Sequence, residues 1–221
     1  PRLTFGLRRG VSFLNSKSET ARLEAFSDGV IAIAATLLIL EIKVPHQNEI
    51  HSAANLTTAL KQLWPSYFAF VYSFGTIFVA WFNHHRSIEL VAQTSRSFMY
   101  ANGFLLLTVT FLPFPTALLA EFLATEFAQP AILFFCASAL LHNLGWVALI
   151  ETAARTPGLL KPHGLAAIAI SRRATLSGGA VYLATTILAC WFPIAALLIN
   201  LLFCGAICAA STTISAPAAC A

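Results

Sequence analysis

The 221-residue chain is 58% apolar and only 10% charged, with a mean hydropathy of +0.77. An ordinary soluble domain carries about 25% charged residues, so a soluble single-domain enzyme is effectively excluded, as is intrinsic disorder, which needs low hydrophobicity and high net charge. The composition is that of an all-α, polytopic membrane protein, and the formal charge of +4 with a pI near 9.0 is read below as a topology signal rather than a nucleic-acid surface.

Residues 1–21 are basic and are followed by no apolar core with a cleavage site, so no signal peptide is expected and this segment is placed in the cytoplasm. A transmembrane helix requires about 20 mostly apolar residues. Six stretches within residues 22–214 qualify: 26–44, 63–84, 98–119, 130–150, 174–190 and 194–213. The last two are separated by a turn at Trp191-Phe192-Pro193, because residues 176–214 form one apolar run too long for a single crossing. The connections 45–62 and 151–171 are longer than the others, and the second, with Pro157-Gly158 and Lys161-Pro162, reads as irregular or partly interfacial. Residues 215–221 form a C-terminal tail.

The basic residues orient these spans. Arg2, Arg8, Arg9, Lys17 and Arg22 precede the first span; Arg86 and Arg96 follow the second; Arg155, Lys161, Arg172 and Arg173 follow the fourth. Only Lys43 and Lys61 fall on the opposite side, so 11 of 13 basic residues share one face of the membrane. This is a positive-inside distribution, which predicts cytoplasmic termini and an even number of spans.

The first span opens with Phe26-Ser27-Asp28 and closes with Glu41-Ile42-Lys43-Val44-Pro45. Ser27 and Asp28 read as an N-cap at the membrane surface, or as polar groups inside its boundary that require a partner on another helix. Phe26, Val30, Ile33, Leu37, Leu40 and Val44 recur at helical spacing as a bulky stripe. Ala25, Gly29, Ala32 and Thr36 form a small-residue stripe that permits close helix approach. A bulky stripe in such a helix faces lipid or core, or forms a constriction that gates a pore by dewetting; composition leaves both open. The second span ends Trp81-Phe82-Asn83-His84-His85-Arg86. Adjacent histidines diverge by about 100° on a helix, which disfavours a shared metal, so a polar knot of Asp28 with His84 and Trp81 on the cytoplasmic side is expected. Cys136, Cys190, Cys204, Cys208 and Cys220 show no metal or disulfide pattern and read as small hydrophobes. His142 and Asn143 in the fourth span are read as packing between helices, Pro113 and Pro115 as ending or kinking the third, and His46, His51 and His163 as loop residues.

Arg22 spaced four residues before Phe26-Ser27-Asp28, then Gly-Val-Ile-Ala-Ile and the Leu-Glu-Ile-Lys-Val-Pro ending, resembles the first helix of bacterial transmembrane-protein-175-type potassium channels. Trp81 and His84 resemble that family's second helix, and Leu112-Pro113-Phe114-Pro115-Thr116 its third; the likeness is closest over residues 22–116. The resemblance implies a homotetramer of six-helix subunits in the bacterial inner membrane, with the first helix lining a central pore and no Thr-Val-Gly-Tyr-Gly filter. It implies an apolar constriction at Ile33, with Leu37 and Leu40 beyond it. It further implies an ion-preference layer at Thr36 and an interhelical network of Arg22, Phe26, Ser27, Asp28, Trp81 and His84. Potassium is the implied permeant ion, discriminated only modestly from sodium, with no cofactor, no other metal and no nucleic-acid partner. Glu41 and Glu49 outside, and Asp28 inside, would concentrate cations at the mouths. The alternative is a secondary transporter of a small cation or solute. An enzyme is not expected, because neither a His-Glu-x-x-His motif nor a nucleophile with a convincing base is present.

Overall fold

The computed structural model describes residues 3–46 and 52–213, with side chains described from residue 19 to residue 207 outside the 47–51 gap. Its described residues are helical apart from turns. α1 spans Leu3–Leu37 and tightens into a 3-10 turn, Leu38–Glu41; then come α2 (Ala53–Gln62), α3 (Trp64–Glu89), α4 (Arg96–Phe111), α5 (Pro113–Phe122), α6 (Ala128–Arg155), α7 (Gly164–Leu188) and α8 (Pro193–Thr213). Among the described residues, four segments are long and apolar enough to cross a membrane: 19–41, 64–89, 96–122 and 128–155. Pro193–Ile207 is apolar but shorter, and α7 is a continuous helix whose apolar sequence is interrupted by Arg172 and Arg173.

Local chemistry explains the boundaries. Ser52 caps α2 and Ser95 caps α4, each hydroxyl oxygen accepting a backbone N–H three residues on at 3.2 Å. Pro65 sits in the first turn of α3, where its missing N–H is no loss. The third span is broken rather than ended: Pro113 and Pro115 lack the N–H groups a continuous helix needs. Leu112 therefore closes a tight turn to Val109 O at 3.1 Å, and the chain resumes as α5, with Thr116 N–H bonding Leu112 O at 3.1 Å.

Two connections differ from their sequence reading. The segment 45–62 contains α2, whose cap and amphipathic sequence suffice to start a helix. The 151–171 connection is mostly helical, because α6 runs on to Arg155 and α7 begins at Gly164. What remains, 156–163, is tied to the α3–α4 turn. Ala92 N–H bonds Leu159 O at 2.7 Å and Lys161 N–H bonds Leu90 O at 2.9 Å, around an antiparallel bridge between Val91 and Leu160. Gly158 takes φ +74° there, a conformation that disfavours a side chain.

Three buried clusters stack along α3. At one end Leu23, Ile88, Phe98, Leu149, Leu159 and Ile168 meet; in the middle Ile31, Leu38, Ile77, Leu106 and Val109; at the other end Ala69, Tyr72, Leu119, Ile132, Phe135 and Leu197. Small residues set how closely the helices approach. A Cβ on Gly145 of α6 would lie 3.1 Å from Leu105 Cα and 3.2 Å from Thr108 Oγ1 on α4. Gly145→Ala should therefore push the two backbones apart and cost about 1–3 kcal/mol, read as a lowered midpoint of thermal unfolding in detergent.

Candidate functional site: the exposed face of α1 and its polar anchors

α1 and the 3-10 turn that continues it have two faces from residue 22 onward. Leu23, Ser27, Ile31, Ala34 and Leu38 are buried against the bundle. The other side is exposed in the single chain: Phe26 63%, Ile33 61%, Leu37 44% and Leu40 70%. Val30, placed on the same stripe by spacing, is half-buried. Ala25, Gly29, Ala32 and Thr36 are also exposed, and a Cβ on Gly29 would meet nothing within 4 Å, so the small-residue stripe makes no close approach inside this subunit. The Thr36 hydroxyl donates to Ile33 O at 2.9 Å, which leaves its oxygen lone pairs unengaged on the exposed face.

Polar contacts hold the buried face in register. Ser27 donates its hydroxyl to Leu23 O at 2.8 Å and accepts from Asn102 Nδ2 at 2.9 Å. Asn102 Oδ1 lies 2.7 Å from His84 Nε2. An amide oxygen only accepts, so His84 donates from Nε2, and the chain runs in one direction from α3 through α4 to α1. His84 Nδ1 has no hydrogen-bond partner among the described residues. A second tether runs beside it, with Trp81 Nε1 donating to Asp28 Oδ1 at 3.0 Å. Trp81 stacks on His85, whose Nδ1 meets Glu24 Oε1 at 2.9 Å.

The six residues assigned to the interhelical network thus fall into three groups. Asp28 and Trp81 bond directly, Ser27 and His84 are joined through Asn102, and Phe26 lies on the exposed face. Arg22 is exposed and makes no hydrogen bond or ion pair among the described residues. Asn102 was missed in the sequence, although a carboxamide inside an apolar span is itself a mark of a paired polar site. His84 points into the core and His85 toward Glu24, so the two do not converge, and no group of three or more potential metal ligands occurs among the described residues.

The remaining candidates are distributed away from α1. His142 accepts from Trp146 Nε1 at 3.1 Å through Nε2, which leaves Nδ1–H to donate to Thr108 Oγ1 at 3.0 Å. Asn143 fills the space left by Gly178 and Gly179 of α7. Next to His142 a cavity of about 20 Å³, lined by Tyr72, Ser73, Thr76, Tyr182 and Asn200 among others, is the size of one water molecule. Glu41 is half-buried beyond Leu40, while Glu49 and His51 lie outside the described residues. His46 and His163 are exposed, and Lys43 pairs with Glu121 at 3.0 Å to tie the end of the first span to α5.

A helical bundle with long apolar segments, internally paired polar groups and apolar side chains left exposed along its helices, α1 among them, defines a polytopic membrane protein. Residues 22–113 match the family described as endosomal/lysosomal potassium channel TMEM175. A protein from Chamaesiphon minutus named as a potassium channel is 54% identical over 134 residues, which cover 59% of this chain and 66% of that protein. One from Streptomyces collinus, also named as a potassium channel, is 47% identical over 112 residues, covering 51% of this chain and 53% of that protein. The matched region thus spans about half to two thirds of these relatives' length. The crystal structure of a lysosomal potassium-selective channel TMEM175 homolog from Chamaesiphon minutus superposes with a TM-score of 0.79 at 39% identity, covering 88% of this chain and 98% of that one. The chain belongs to the TMEM175 family.

Proposed function

We propose that the chain is one subunit of a potassium-permeable cation channel in a bacterial inner membrane, with α1 of each subunit lining a central pore. The observation that carries this reading is the division of α1: one face is pinned by Ser27–Asn102–His84 and Asp28–Trp81, and the opposite face presents Ile33, Leu37 and Leu40 uncovered. The names of the bacterial relatives support it. On this reading four subunits surround the pore, each crosses the membrane six times with α7 and α8 as the last two spans, and both termini are cytoplasmic, as the sorting of basic residues requires.

Ile33 then forms a ring around the axis. A potassium ion stripped of water at such a ring loses solvation without replacement, so the ring favours a dewetted, closed state. Conduction requires widening or rotation of α1, after which a partly hydrated ion passes. Discrimination against sodium comes from partial dehydration near Thr36 and is weaker than a carbonyl filter gives. No step needs a cofactor.

The test is the reversal potential under bi-ionic potassium and sodium, recorded from purified protein in planar bilayers. A shift favouring potassium in discrete ohmic steps is expected. A current that saturates with substrate and lacks unitary steps would move the assignment to a secondary transporter, and absence of any cation current would overturn it.

A further inference from the structure

α7 carries Arg172 and Arg173 inside apolar sequence: neither Gly164–Ser171 before them nor Ala174–Leu188 after them holds a charged residue. The flanks are also exposed, with Leu165 and Ile170 at 63% before the pair and Leu176 at 48% after it. At about 100° per residue, Leu165, Arg172 and Leu176 lie on one stripe of the helix. An arginine bracketed along its helix by uncovered apolar side chains belongs at the level where hydrocarbon meets headgroup, with its stem along the apolar surface and its charge toward phosphate.

The neighbouring helix shapes this corner. Glu151 of α6, only 17% exposed, accepts from Arg172 Nε on one carboxylate oxygen and forms an ion pair with Arg155 Nε, 3.0 Å from the other, without a hydrogen bond there. Both contacts use Nε, so the terminal Nη groups of two guanidinium forks remain for another anion, on side chains 46% and 76% exposed. Arg173 is exposed and has no ion-pair partner among the described residues. Three guanidinium groups against one carboxylate leave a surplus of positive charge.

We infer that this α6–α7 corner binds the phosphate of an anionic phospholipid. Bidentate guanidinium groups match phosphate oxygens, and the apolar flanks select a phosphate attached to acyl chains over a free one. α7 packs chiefly on α6 and α8, whereas α1 packs on α3 and α4. With α1 at a central axis, α7 lies toward the lipid-facing perimeter. Basic groups between spans on the cytoplasmic side are the setting in which anionic headgroups bind. The inference rests on the membrane placement of the chain and does not require that it conduct.

The experiment is native mass spectrometry of the full chain in detergent, incubated with phosphatidylglycerol or phosphatidylcholine. Phosphatidylglycerol should be retained in preference, with each arginine contributing about fivefold. Arg173→Gln, which breaks no contact described above, should lower the preference by about that factor, and Arg172→Gln/Arg173→Gln by about 25-fold, leaving the contribution of Arg155. Millimolar inorganic phosphate should leave it intact. Equal retention of the two lipids by the unaltered chain, an unchanged preference in Arg173→Gln, or displacement of the lipid by inorganic phosphate would each overturn the assignment. Bilayer currents from the same preparations keep this outcome separate from the channel reading.

Discussion

Ile33→Asn should turn a mostly closed pore into a leaking one. Ile33 is 61% exposed in the single chain, on the face of α1 turned away from the bundle, so an amide there disrupts no core. In the proposed channel the same substitution places carboxamides around the axis. Amides offer a dehydrated ion and its water the partners that an apolar ring withholds. Because about 1.4 kcal/mol of barrier corresponds to a decade in rate, even a modest gain in hydration should raise resting current by roughly tenfold or more. Single-channel and macroscopic recordings in symmetric potassium check this, with Ile33→Val, which keeps the ring apolar, expected to stay near the parent level. Ile31→Asn supplies the contrast: Ile31 is 3% exposed and packs in the middle cluster, so its amide would be buried without a partner and would lower stability instead. Unchanged conductance and leak in Ile33→Asn would remove Ile33 from the gate.

Asn102→Leu should loosen the attachment of α1 to the bundle. Asn102 is 1% exposed and holds both His84, 18 residues away, and Ser27, 75 residues away. Leucine is close in volume but can neither accept from His84 Nε2 nor donate to Ser27 Oγ. His84 Nδ1 already lacks a partner among the described residues, so the whole imidazole would be left buried without a hydrogen bond from them. The cost of stranding such a group is about 1–3 kcal/mol, read as a lowered unfolding midpoint in detergent. Asp28→Asn should be milder, because the amide oxygen can still accept from Trp81 Nε1. A midpoint for Asn102→Leu equal to that of the parent would show that the chain from α3 through α4 to α1 carries no stability.

How far the sequence could be read depends on whether the deciding interaction is local or distant. The two faces of α1 were legible, because a 3.6-residue period places Ile33, Leu37 and Leu40 together whatever surrounds them. The pairing of Asp28 with Trp81 was legible too, since the start of one span and the end of the next must share a membrane face, but His84, expected in the same knot, bonds Asn102 instead. Asn102 was not, because nothing near it in the chain names its partners. The α6–α7 connection was misjudged for a related reason. Arg172 and Arg173 look like the end of a span, but Glu151 takes up Arg172 and the helix continues through them. At Pro113 and Pro115 the sequence permitted either an end or a kink, and the apolar face of α5 packed with α3 and α6 decided for the kink.

Composition and spacing by themselves determined the class of protein, the approximate place of the first four spans and the existence of an apolar stripe on the first helix. These follow from transfer free energy and helical period, which act residue by residue. Only the tertiary structure decided which face of α1 is covered, that Asn102 joins Ser27 to His84, and that Glu151 draws two arginines into one exposed corner. Those outcomes depend on hydrogen bonds and close contacts between helices far apart in the chain, and a buried polar group must find its partner there because the apolar surroundings offer no water in its place.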